Sequence, residues 1–150
     1  MSMNKITRRG LAAAPAALAA AAQAVRAAPK PAPAAAWPDA TETAAMIKRG
    51  EMSPAEAVQA AIARAEGLQP VLNFIVNSDF DRALAKAKAG PPAGPFGGVP
   101  FLIKDLEDYN GLPTRAGSRS GLLRGPASSQ TPYIDAFDRA GLVILGKSAT

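Results

Sequence analysis

Three short apolar runs, residues 74–76, 99–103 and 142–145, are separated by stretches that carry helix signals. This alternation limits the fold more than any other feature, because strands interleaved with helices pack as an α/β layout with a partly parallel sheet. Thr41 to Arg49 predicts a short helix, with Ala44, Ala45, Met46 and Ile47 as its apolar contacts and Gly50 as its stop. Ser53-Pro54-Ala55-Glu56 is a capping box with proline in the first turn, and it starts a second helix. That helix is expected to run to about Glu66, with Val58, Ala61, Ile62 and Ala65 on one face. A third is expected from Asp79 to Ala89, capped by Asp79 and stopped by Gly90. Residues 90–98, rich in Gly and Pro, must be loop, and residues 107–129 read as mostly irregular. Thr131-Pro132 starts a last helix that Gly141 ends. Three strands make little two-sided sheet, and an open edge strand exposes unpaired backbone groups. The expectation is therefore an incomplete domain.

The chain has no histidine and no cysteine. Ser-His-Asp and Cys-His catalysis, His- or Cys-ligated zinc and disulfides are thereby excluded within it. Acid–base chemistry near neutral pH falls to a shifted Lys, Asp, Glu or Tyr, or to water.

The formal charge of +5 suggests nucleic acid, but Lys5, Arg8, Arg9 and Arg26 all lie in the first 27 residues, which hold no acid. The remainder carries 13 basic and 12 acidic residues. It has no basic stripe with interleaved aromatics, so no nucleic-acid partner is expected. Residues 1–27 read as an address: a basic head, an alanine-rich run from Leu11 to Ala24, and small residues offering cleavage after Ala24 or Ala27. Thr7-Arg8-Arg9-Gly10-Leu11 resembles a twin-arginine export signal, which implies the twin-arginine machinery as partner and a periplasmic destination. The run is too short and alanine-rich for a good membrane span. Residues 28–40 are a stiff Pro/Ala-rich linker, and the folded part is expected over residues 41–150.

Lys104 ends a strand whose other residues want burial. Desolvation pushes an ammonium toward the neutral amine, which can accept a proton from a serine hydroxyl. On chemistry alone the bland alternative leads: Lys104 tops its strand, reaches solvent and pairs with Asp105 or Asp108. The neighbourhood changes that balance. Gly94-Pro95-Phe96-Gly97-Gly98-Val99-Pro100-Phe101-Leu102-Ile103-Lys104-Asp105 resembles the Gly-Pro-Leu-x-Gly-Val-Pro-x-x-x-Lys-Asp segment of the amidase signature family. The resemblance continues through Gly111-Leu112-Pro113-Thr114 and Ala116-Gly117-Ser118, and resumes at Ala140 to Ser148, similar to Ala-Gly-Ala-x-x-Leu-Gly-Lys-Thr. Ile47 to Pro54 looks like the family's leading helix pair. The flavour is similar to the 6-aminohexanoate cyclic-dimer hydrolases.

The resemblance implies the N-terminal part of a mixed sheet flanked by helices. It also implies hydrolysis of a small-molecule amide by a Ser–cis-Ser–Lys triad with neither metal nor organic cofactor. Lys104 matches the catalytic lysine. Both triad serines lie, in the family, beyond the position matching Thr150, so a fragment inactive by itself is expected, with a non-catalytic remnant as the alternative. Arg115 departs from a threonine common in the family, which puts local packing or substrate access in doubt. Ser118 matches a structural position in the family. Ser120, Ser128 and Ser129 lack the Gly-rich flanks of a nucleophile turn, and the last two read as turn or cap residues.

Gly141 to Ser148 also satisfies the phosphate-loop pattern G-x-x-x-x-G-K-[ST]. A helix precedes it, however, and its four middle residues are those of a buried strand. Nucleotide binding is therefore the remote alternative, and Lys147 is expected to be a strand-end lysine with a packing or solvent role.

Overall fold

The computed structural model describes residues 37–119 and 125–150, and the expected export signal and most of the linker lie outside these. Over residues 38–150 the order is α1 (Ala40–Lys48), α2 (Pro54–Leu72), β1 (Ile75–Ser78), α3 (Phe80–Lys88), β2 (Pro100–Lys104), α4 (Pro132–Arg139) and β3 (Val143–Ser148). The three strands form one mixed sheet in the order β1-β3-β2. β3 runs parallel to β2 and antiparallel to β1.

Helices cover both faces of this sheet. On one, Val143 and Leu145 pack with Val58 and Ile62 of α2 and Ala83 and Ala87 of α3. On the other, Ile144 packs with Ile103, Tyr109 and Ile134. A strand buried on both faces reads as a continuous apolar run, as the first half of β3 does. Each fully buried Val or Ile here contributes about 1.5–3 kcal/mol.

The Ser53 box forms as its spacing predicts: Ser53 Oγ accepts from Glu56 N, and the Glu56 carboxylate accepts from Ser53 N at 2.7 Å. Those hydrogen bonds from Ser53 hold the Glu56 carboxyl below its ordinary value. Two helix details differ from expectation. α2 passes Glu66 and carries Pro70 to Leu72, where Asn73 in the left-handed region closes it and donates its N–H to Gln69 O. The Gln69 side chain then clamps the backbone of Ile75 through both its N–H and its carbonyl, which ties the added turn of helix to the start of β1. Asp79 makes no side-chain cap for α3. Its carboxylate is taken by Arg82 one turn on.

β3 is longer than its apolar run because Gly146, Lys147 and Ser148 continue the pairing. The register with β2 shifts between Phe101–Ile144 and Leu102–Gly146, leaving Leu145 as an extra residue. At Gly146, with φ at 141°, a Cβ would collide with Asn77 O and sit 2.9 Å from Ser78 Cα, so only glycine lets β1 approach this closely.

Candidate active site

Lys104 is the last residue of β2, and the chain turns away at once: Leu106 N donates to Lys104 O at 2.7 Å. Beside it lies a cleft of about 380 Å³ lined by Phe101, Leu106, Tyr133, Phe137, Lys104 and Ser148, among others. Phe137 packs edge-on against Phe101 (4.9 Å between ring centroids) and Tyr133 (4.6 Å), which gives the cleft an aromatic wall. Ser148 stands opposite Lys104 in the parallel register and donates its hydroxyl to Ile103 O at 3.3 Å. The lysine expected from sequence is therefore at a strand end, but its side chain is exposed rather than withdrawn from water. The expected carboxylate partners are also occupied elsewhere. Asp108 accepts from Thr114 Oγ1, and Asp105 turns inward.

The buried lysine is Lys147. It is 0 % exposed, which rules out the solvent role expected for it. Its Nζ donates to Pro113 O at 2.9 Å and Thr114 Oγ1 at 2.5 Å, and lies 3.5 Å from Asp105 Oδ1. Burial pushes this ammonium below its ordinary value, against the opposing attraction of Asp105. The Leu145–Gly146 irregularity explains its position. Side chains alternate along a strand, so Lys147 would otherwise share the face of Val143 and Leu145, against α2 and α3. One extra residue rephases the strand and pairs Lys147 with Ile103, on the face of Tyr109 and the loop that follows β2. Sequence reasoning named this lysine but missed its pairing with Asp105, because a bulge leaves no reliable mark beyond a glycine in a strand.

The same geometry removes the nucleotide-binding alternative. Gly141 lies in a turn, residues 143–148 are strand, and all of 141–147 are buried. A phosphate loop needs N–H groups converging at a helix start, whereas here the Lys147 ammonium is spent on protein oxygens. Among the described residues no acidic cluster has the arrangement of a metal site.

Asp105 is the hub beneath Lys104. It is 1 % exposed, and its carboxylate accepts from Arg115 N at 3.2 Å as well as facing Lys147. Its backbone N–H donates to Ser148 O and its carbonyl accepts from Ala116 N, each at 3.0 Å. Arg115 thus serves the site through its amide, while the residue itself is exposed. Ser118 is exposed just after the turn at Ala116 and Gly117, and Ser128 and Ser129 are exposed in bends before α4. None of the three lines the Lys104 cleft. Ser120 lies outside the described residues.

Known proteins agree with this architecture. Residues 56–150 match the family described as Amidase. The acylamidase of Rhodococcus erythropolis is 36 % identical over 121 residues, which are 76 % of this chain and 25 % of that protein. The 6-aminohexanoate-cyclic-dimer hydrolase of Paenarthrobacter ureafaciens is 32 % identical over 119 residues, 76 % of this chain and 23 % of that protein. The crystal structure of a bacterial aryl acylamidase of the amidase signature family superposes with a TM-score of 0.65 at 30 % identity, covering 75 % of this chain and 25 % of that one. The chain therefore spans about a quarter of the length of the curated relatives it matches. By sequence match and by fold, this chain belongs to the amidase signature family.

Proposed function

We propose that the chain supplies the lysine base of a serine-dependent amide hydrolase, and that Lys104 is that base. The observation that carries the reading is positional. Within the family-matching segment, Lys104 closes a parallel strand at an aromatic-walled cleft, and open α/β sheets bind ligands outside the carboxyl ends of their strands. In the proposed reaction the free amine takes a proton, through a bridging serine, from a serine nucleophile. The activated oxygen adds to the amide carbonyl, backbone N–H groups hold the oxyanion, and the amine leaves with a proton. Water then cleaves the acyl-enzyme. Both serines are proposed to belong to the length of the relatives that this chain does not span. The proposed substrate is a small-molecule amide, with the 6-aminohexanoate cyclic dimer named by one relative as the first to try.

The test is Lys104→Ala in the full-length protein. Loss of amide hydrolysis with an unchanged unfolding transition supports the reading, and near-normal turnover overturns it.

Residues 1–27 are proposed as a signal that delivers the protein to the periplasm by the twin-arginine route. A reporter fused behind them should be exported, and should stay in the cytoplasm when Arg8 and Arg9 are both replaced by Lys.

A further inference from the structure

Lys147 and Asp105 form a buried ion pair that the reaction above leaves without a task. Their link to Lys104 is through the backbone. Asp105 follows Lys104 in the chain, so whatever fixes Asp105 fixes the strand end from which the Lys104 side chain departs. Four contacts do so: Ser148 O on its N–H, Ala116 N on its carbonyl, and Arg115 N and Lys147 Nζ on its carboxylate. Lys147 also ties down Pro113 O and Thr114 Oγ1, which belong to the loop that supplies two of those donors. Neither side chain reaches solvent, and no buried side-chain nitrogen or oxygen among the described residues lacks a partner. The buried pair is thus fully satisfied, and a fully satisfied buried polar network is rigid.

We infer that Lys147 and Asp105 are positioning residues, which hold in place the strand end from which the Lys104 side chain reaches the cleft and so set where its amine can meet a proton. The inference rests on the reading of Lys104 as base. A base acts only within hydrogen-bond reach of its proton, and a misplacement of about 1 Å costs on the order of a hundredfold in rate. Lys147 neither touches substrate nor moves a proton in this scheme. Its ammonium is enclosed by the Asp105 carboxylate, Pro113 O and Thr114 Oγ1, with the acids Glu107 and Asp108 further out.

The experiment compares wild type, Lys147→Met, Asp105→Asn, Thr114→Val and Lys104→Ala in the full-length protein. Each is assayed for kcat and KM on an amide. Each is also titrated with a serine-directed phosphonate, which reports both the fraction of active sites and the rate of their modification. Thr114→Val keeps the side-chain volume and removes one acceptor of Lys147, so it remains informative if the charge variants fail to fold. Positioning predicts a full complement of sites, a phosphonylation rate and kcat lowered about tenfold to a hundredfold in Lys147→Met and Asp105→Asn, a smaller fall in Thr114→Val, and KM within about threefold. A reduced number of sites that react at the wild-type rate marks a merely structural role and overturns the inference. So does a wild-type rate in a folded Thr114→Val when the charge variants do not fold. If Lys104→Ala itself keeps its activity, the reading of Lys104 as base fails first, and this inference falls with it.

Discussion

Lys147 Nζ lies 3.5 Å from Asp105 Oδ1, with the two side chains 0 % and 2 % exposed, one strand away from the exposed lysine that the family motif marks. Removing one partner of a buried pair leaves an uncompensated charge, so Lys147→Met should lower unfolding free energy by about 3–5 kcal/mol. Lys147→Met/Asp105→Asn should recover part of that loss. Urea unfolding of the single and double variants measures both, and strict additivity of the two single losses would mean that the pair is not coupled.

The same lysine predicts a pH dependence. Its folded-state pKa lies below its unfolded value of 10.5 because burial disfavours the ammonium. Between those two values the unfolded chain binds more protons than the folded one, so the Lys147 contribution to stability rises with pH across that window. Wild type minus Lys147→Met, followed by urea unfolding from neutral pH upward, isolates this rise from other groups. The difference should climb in favour of the wild type as pH approaches 10.5.

Lys104→Ala should leave the unfolding transition within about 0.5 kcal/mol of wild type, as exposed substitutions do. In the full-length protein its amide turnover should fall by about 10²–10⁴-fold, the usual contribution of a positioned base. Thermal unfolding and steady-state assay of one preparation test the two halves together.

Gly146 and Gly67 should respond oppositely to alanine. At Gly146 the new Cβ meets the Asn77 carbonyl in a left-handed backbone, so Gly146→Ala should cost about 3 kcal/mol or more. Gly67 is inside α2 with nothing within 4 Å of the added carbon, so Gly67→Ala should add about 0.5–1 kcal/mol. Chemical denaturation of the two variants settles the sign of each.

Ser53→Ala removes the acceptor for Glu56 N and should cost about 1 kcal/mol. The Ser53 hydroxyl also donates to the Glu56 carboxylate at 2.8 Å; that contact, absent from the alanine variant, helps hold the carboxyl below its ordinary value, so its contribution is present above the unfolded value of 4.5 and is lost as pH falls through the lower folded value. The stability gap between wild type and Ser53→Ala should accordingly narrow in acid.

The sequence by itself determined whatever depends on neighbours in the chain. The Ser53 box is complete within four residues, and the apolar runs at 99–103 and 142–145 contain most of β2 and the first half of β3. The order of motifs from Gly94 to Ser148 was enough to identify the family, and Lys104 was legible as a lysine ending a strand. Tertiary structure decided what depends on register and solvent. The helix expected to end near Glu66 runs on through Pro70 to Leu72, and Gln69 in that last stretch holds the backbone of Ile75 at the start of β1. Alternation along 143–147 puts Lys147 among Val58 and Ile62, yet the extra residue at Leu145 turns it toward Asp105. Which of two strand-end lysines loses its water is a property of the packed sheet. Desolvation is set by the atoms that surround a side chain in space, and those come from residues 34 and 42 positions away along the chain, Pro113 and Asp105.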